Sequence, residues 1–439
     1  MTHNTTPAAI QNNNTFKQGD VFVLFGELFG RGYATGLIDA AKKEGMEIIG
    51  ITVGRRDENN QLRALTQEEK SEAEANLGGR IINVPLMAGF DLDAAEGEAT
   101  PTDLLNEMTK DSWREHKLDW AHIERCREVG VDRFRRSAEQ AMAELDQMIP
   151  SGANVFFAHT MAGGIPRAKV FMVIANQVYK GRGARHMPSQ ALIDSDLGKF
   201  LLQNFDEVTA NTFEHLIEAS STIRERIESA GGSVSYTAYG YHGTRILIDA
   251  EYRWQTYTSY TQGYAKMRLE QIAETAWSKG IKATVFNCPE IRTNSSDVFA
   301  GIELSLIPLL SALKTEEGGE FAQEIWDECG SLLKDDASLE DVLGRIESYM
   351  GHLTMEPFYN FAGWPMQNSP DQVELTVGTS QDIVALHKDR KALISDVLSQ
   401  HVVSATGRLI FSEAGKPTGP VQWLDHDVVA RDMIRAAKS

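Results

Sequence analysis

"DVFVLFGELFGRGYATGLIDAAKKEGMEIIGITVGRRDE", residues 20–58, places two short apolar runs on either side of a segment with helical spacing. The run VFVLFG suits a strand buried on both faces, YATGLIDAAKKEG has the periodicity of a helix and stops at Gly45, and MEIIGITVG is a second buried run. That order is a β-α-β unit. Its first turn carries Gly26, Gly30 and Gly32 as G-x-x-x-G-x-G. Glycine there lets the backbone turn tightly and approach a pyrophosphate, whose charge the amides and positive dipole end of the next helix stabilise. Tight turns alone also select glycine, so the weight lies in the position of the triplet, at the first β-α turn of an alternating chain.

Outward from this unit the alternation continues. RIINVPL reads as a third strand, and a helical insertion at about residues 100–148 ends in a helix that covers the sheet. ANVFFAHTMAGG is a fourth strand entering a glycine turn that includes Gly163, and FDEVTANTFEHLIEASSTIRERIESAGG is one long amphipathic helix. SVSYTAYGYHG gives a fifth strand, YAKMRLEQIAETAWSKG a helix, and IKATVFNCPEIRT a sixth strand. The implied fold class is α/β, a doubly wound, mainly parallel, Rossmann-like sheet with helical insertions and a C-terminal extension. A tail over residues 1–19, rich in Asn and Thr, is expected to be disordered, and residues 20–439 to form one elaborated dinucleotide-binding domain. Its extension, from about 300 to 439, is expected to be helical to about residue 350 and to end in a strand at GRLIFSEAG.

Composition removes several alternatives. With 42% hydrophobic residues and no apolar run near the roughly 18 residues of a membrane span, the 439-residue chain reads as globular, without a span or secretory signal, and a cytoplasmic location is expected. A net charge of −19 disfavours nucleic acid, whose binding needs Lys and Arg against phosphates. Cys126, Cys288 and Cys329 are far apart and form no metal-binding spacing. After the second strand, Arg55 and Arg56 precede Asp57 and Glu58. Arginine there suits the 2′-phosphate of NADPH and an acid the ribose hydroxyls of NADH, so the expected cofactor is NADPH or NADH, with NADPH slightly preferred.

The glycine turn, HTMAGG and GIKATVFNCPEIRT together resemble the short-chain dehydrogenase/reductases, although the usual Tyr-x3-Lys pair is absent, Gln262 standing four residues before Lys266. Closer is the enlarged branch of trans-2-enoyl-CoA reductases and enoyl-acyl-carrier-protein reductases. AYGYHGT (238–244), YTSYTQGYAK (257–266) and IRTNSSDVFAGIELSLIPLLSAL are similar to its strand-five segment, its Tyr-x8-Lys pair and the segment after its sixth strand. About six extra residues within RILIDAEYRWQT, and Met267 after the lysine, depart from the pattern.

The resemblance implies an NAD(P)H-dependent reductase of an enoyl thioester, carried on CoA or acyl carrier protein. Tyr257 would stabilise the enolate, Lys266 would tune that phenol and hold the nicotinamide ribose, Tyr241 would assist in the oxyanion site, and Thr293 would contact the cofactor. Positions nine apart on a helix differ by roughly 180°, so Tyr257 can share a site with Lys266 only from a bent segment ahead of the helix. Tyr260 is the reserve phenol, Tyr239 shares a strand face with Tyr241, and Tyr264 is expected to pack. His159 and His242 are candidate proton carriers, though such histidines more often only satisfy local hydrogen bonds. The basic run YKGRGARHMPSQ (179–190) could bind CoA phosphates or a carrier, or be a solvated loop. A carbonyl reductase using the same tyrosine and lysine, and a dinucleotide-binding assembly module with little catalysis, are the alternative readings. Homo-oligomerisation stays open.

Overall fold

The structure, a computed structural model, describes residues 15–28, 32–240, 243–255, 262–293, 296, 298–359 and 368–438. The expected β-α-β unit is β1 (Val21–Gly26), α1 (Tyr33–Lys43) and β2 (Glu47–Val53), and every residue of β1 is buried. A small ladder, β3 (Arg55–Arg56) and β4 (Leu62–Arg63), precedes α2 (Gln67–Leu77) and β5 (Arg80–Leu86). Thr66 caps α2, its hydroxyl accepting from the Glu69 amide while the Glu69 carboxylate accepts from the Thr66 amide.

The insertion holds α3 (Pro101–Asn106) and the 29-residue α4 (Trp120–Met148). Phe134, Ala138, Ala141, Met142 and Leu145 of α4 share one core with β1, β5 and β6 (Val155–Thr160), so α4 is the sheet-covering helix. Then come α5 (Lys169–Tyr179), α6 (Ser189–Ile193), α7 (Asp196–Phe205), α8 (Thr212–Ala219) and α9 (Ser221–Ser229). The long helix expected here is therefore broken. A π-turn at Asp206–Asn211 joins α7 to α8, and Ser220, whose hydroxyl donates to the Leu216 carbonyl, separates α8 from α9.

β7 (Val234–Gly240) leads into a hairpin, β8 (Thr244–Ile248) and β9 (Glu251–Gln255), before α10 (Gln262–Ser278) and β10 (Ala283–Asn287). The RILIDAEYRWQT segment is thus mostly an added hairpin, fastened by Arg245 to the buried Asp425. The C-terminal region supplies α11 (Ile302–Leu306), α12 (Leu309–Thr315), α13 (Gly319–Ser331), α14 (Leu339–Met350), α15 (Pro370–Ala385), α16 (Ile394–Gly415), β11 (Val421–Trp423) and α17 (His426–Ala437).

Among the described residues seven strands form one parallel sheet in the order β11-β10-β7-β6-β1-β2-β5. The chain runs outward one way from β1 and the other way from β6, so the switch in direction lies between them. In doubly wound sheets ligands bind beyond the carboxyl ends of the strands at that place. No described helix is long and apolar enough to cross a membrane.

Three further sequence expectations change. GRLIFSEAG is not a strand: it completes α16, because Leu409, Ile410, Phe411 and Ala414 all face the core. The last strand is instead the three-residue β11 on β10. The tail does not reach residue 19, since Phe16 is buried, stacks on Phe156 and packs at a tilt against Phe411. The C-terminal region is no appendage either. α16 lies against α1 so closely that a Cβ on Gly36 would overlap the Val403 carbonyl and one on Gly407 would overlap the Gly36 backbone.

Candidate active site

Helix α10 buries Leu269, Ala273 and Ala276 against the sheet, and Lys266 falls on the same stripe, three residues before Leu269. The apolar periodicity of the helix therefore carries an ammonium into the interior. Lys266 is 8% exposed, and its Nζ donates to the Tyr239 carbonyl at the end of β7, 2.6 Å away. Burial penalises the charged form and lowers its pKa to about 8, with Cys288, just after β10, acting weakly in the opposite direction. An ammonium has three donors, and a lysine near neutrality inside a fold is a recognised sign of a functional site.

The Tyr239 ring stacks on Tyr33 with centroids 5.4 Å apart, and Tyr33 donates its hydroxyl to the Pro289 carbonyl. The glycine turn that Tyr33 follows is thus tied to the ends of β7 and β10. The Tyr239 hydroxyl is buried and has no hydrogen-bond partner among the described residues, and burial pushes this phenol well above its ordinary range. Tyr264 is half-buried, its phenol raised to about 12 by desolvation first and Tyr179 second. His159 hydrogen-bonds Thr212 through Nε2 at 2.8 Å, and burial, with Lys266 adding to it, holds its pKa well below the usual value. A neutral, partnered imidazole of this kind is a core residue rather than a proton carrier.

The dinucleotide side lies around the switch between β1 and β6. Gly26 has φ +127°, and a Cβ there would come within 2.7 Å of Thr160 Oγ1 and 2.8 Å of the Met161 amide nitrogen, so only glycine lets the two strand ends close together. Gly32 precedes α1, which begins without a side-chain cap, the kind of helix start that can take an anion. Gly163, at φ +120°, exchanges hydrogen bonds with Thr209, its amide donating and its carbonyl accepting. A hollow beyond the ends of β1, β2, β5 and β6 is lined by Glu27, Met87, Asp91, Met161, Gly164 and Arg167 among others. These residues fit a dinucleotide: a glycine cradle that a Cβ would fill, an uncapped helix start and, beside them, a buried ammonium.

The two arginines after β2 part company. Arg55 is exposed and borders a second hollow that also holds Glu27, Glu69 and Glu72. Arg56 is largely buried, donates to the Asn60 carbonyl and lies 3.7 Å from Asp93, which Arg133 already grips through two hydrogen bonds of 2.8 Å. Among the described residues Thr293 has only local partners, its amide donating to Ser296 Oγ. Next to it, Arg292 borders a cavity of about 620 Å³ with Gly32, Thr35, Asp39 and Asp396.

Gly30, Tyr241, His242, Tyr257 and Tyr260 lie outside the described residues. Sequence reasoning passed over Tyr33, whose one local sign is an aromatic ring directly after the glycine turn, and Glu27, Asp91 and Arg167, which carry no motif.

Comparisons with known proteins bear on this geometry. The model of a family described as "Enoyl-acyl carrier protein reductase FabMG" matches residues 4–433. A solved structure described as "Apo structure of FabMG, novel types of Enoyl-acyl carrier protein reductase" is 62% identical, covers 97% of this chain and 96% of its own, and superposes with a TM-score of 0.94. Another, described as "NADH bound structure of FabMG, novel type of Enoyl-acyl carrier protein reductase", is 54% identical over 96% of this chain and 98% of its own, with a TM-score of 0.78. No curated protein matches the chain.

Proposed function

Because the chain belongs to the enoyl-acyl carrier protein reductase FabMG family, we propose that it reduces the α,β double bond of an enoyl group carried as a thioester on acyl carrier protein, with Lys266 and Tyr257 at the centre of the site. The observation that carries this reading is the buried Lys266, held by the Tyr239 carbonyl over the ends of β6, β7 and β10. A bound nicotinamide dinucleotide supplies the hydride that adds to the β-carbon.

The chain's own residues do the rest. Reduction at the β-carbon places negative charge on the thioester oxygen, and a phenol donating to that oxygen stabilises the charge where it develops. Tyr257, nine residues before Lys266 and two after Gln255 closes β9, takes that role, assisted by Tyr241 in the oxyanion site. Lys266 keeps donors in excess of its one carbonyl and lowers the pKa of a neighbouring phenol while charged. Gly26, Gly32 and Gly163 are assigned to the pyrophosphate cradle, with Gly30 and Thr293 as the further cofactor contacts that the family likeness implies.

Cofactor choice falls between NADH and NADPH. The hollow beside Arg55 is also lined by Glu27, Glu72 and Glu69, the last paired with Arg63, and an acidic lining suits ribose hydroxyls better than a further phosphate. Arg56 is engaged with Asp93. Both features, with the NADH of the 54% identical relative, tilt the choice that the two arginines raise towards NADH.

The test is oxidation of NADH and NADPH, followed at the nicotinamide absorbance, with an enoyl carrier-protein thioester, the matching enoyl-CoA and a keto analogue. Reduction of the enoyl thioesters and not the ketone is expected. Tyr257→Phe should abolish turnover and leave cofactor affinity nearly intact; loss with Tyr260→Phe instead would move the phenol to that position.

A further inference from the structure

The acids of this chain are unevenly spread. Against 62 Asp and Glu in total, none occurs between Asp146 and Asp194, whereas Arg167, Lys169, Lys180, Arg182 and Arg185 all do. The structure gathers this stretch beside the proposed site. Residues Met161, Gly164, Ile165 and Arg167 line the hollow beyond the strand ends, and α5 follows at once.

α5 has two faces. Phe171, Ile174, Ala175 and Val178 are buried in a cluster that also contains Ala265, the neighbour of Lys266. The other face exposes Lys169, Met172, Val173 and Asn176, spaced i, i+3, i+4 and i+7, a single stripe with an apolar centre. Met172 is 47% and Val173 46% exposed, and among the described residues only Leu353 joins them as a large exposed hydrophobic side chain. Arg182 is engaged by Glu374 and Gln381. Lys169 and Arg185 are exposed, and among the described residues neither has a carboxylate partner.

Resting on the proposed carrier-dependent reductase activity, we propose that this stripe of α5, flanked by Lys169 and Arg185, is where the acidic carrier protein docks to deliver its thioester. Charge complementarity selects the occupant. A protein of net charge −19 repels an acidic partner over most of its surface, so a segment that contributes no acid of its own, and whose Lys169 and Arg185 have no carboxylate partner among the described residues, is where such a partner can settle. The Met172–Val173 pair offers the dry centre that a bound helix needs, with the cations as its rim. The strip adjoins the loop lining the strand-end hollow, so a partner seated there has its flexible arm at the mouth of the site.

The experiment compares one enoyl group on two carriers, the carrier protein and CoA, using the full-length Lys169→Glu/Met172→Asp variant. Neither residue belongs to the reacting site. KM for the carrier-protein thioester should rise at least about tenfold, with kcat and both constants for enoyl-CoA unchanged within about twofold, and Lys169→Arg alone should keep near-normal values. Raising salt should weaken use of the carrier-protein substrate by the unmodified protein and have little further effect on the variant. Equal changes for both substrates, or an unchanged KM for the carrier-protein thioester, would overturn the assignment. So would an unmodified protein that is dimeric and a variant that is monomeric, since the stripe would then seat a second copy. Titration with holo-carrier protein lacking any acyl group reads docking by itself: if neither thioester is reduced, the activity fails, while docking still stands on an affinity that the double variant lowers about tenfold.

Discussion

Two interior polar regions of this molecule are built on opposite plans. Around Asp93 every strong group has an answer: Arg133 donates twice to the carboxylate and also to the carbonyls of Met87 and Gly89, while Arg56 closes the group from the other side. Around Lys266 the groups are as deeply buried, yet the ammonium has one carbonyl acceptor and the Tyr239 hydroxyl has none among the described residues. Burying an unanswered polar group costs free energy, and folds retain such groups where a ligand completes them. The first region holds loops together; the second is the region to which the proposed reaction is assigned.

This contrast can be broken by exchanging the expected symptoms. Lys266→Met should lower kcat/KM at least about a hundredfold and spare stability, because a well-packed apolar side chain replaces a costly buried charge. The same pair of proteins gives a pH signature. Lys266 titrates near 8 in the folded chain and 10.5 is its unperturbed value, so between these values the folded state holds fewer protons. Stability of the unmodified protein should therefore rise relative to Lys266→Met across that interval, and below it the penalty for burying the charge is fully present. Denaturant unfolding at several pH values measures this.

Asp93→Asn should do the reverse. It should reduce unfolding free energy by about 3 kcal/mol, leaving Arg133 and Arg56 without their counter-charge, while activity per folded molecule changes less than fivefold, roughly 1 kcal/mol of barrier. Thermal melts beside kinetics would separate the two. The smallest effect belongs to Tyr239→Phe. Removing a hydroxyl without a partner should change stability by less than about 1 kcal/mol, and any loss of turnover then reports a contact made only with ligand present. A large destabilisation would place Tyr239 in the first class of region.

Much of this architecture is legible in the sequence, and the reasons are local. β1, β2, β5, β6, β7 and β10 are short, mainly apolar runs between turns, because strands of a parallel sheet are covered on both faces. Lys266 is legible through its resemblance to a family pair, and Gly26 through its position in a β-α turn. β11 was not, since three half-buried residues carry no period, and GRLIF reads as a strand until α1 is known to lie against it. The Tyr33–Tyr239 stack and the divergent fates of Arg55 and Arg56 depend on contacts between distant segments, which no local pattern encodes.

The closure of α16 on α1 also orders events in time. The Gly36–Gly407 seam and the Phe16–Phe411 contact join the first strand-helix unit to a segment some 370 residues later, and β11 adds its strand later still. A chain emerging from the ribosome at about 5–20 residues per second therefore waits tens of seconds with the outer face of α1 bare. The packing of the first strand-helix unit is therefore completed only when that late helix has been made, at the end of synthesis rather than when the first motif emerges.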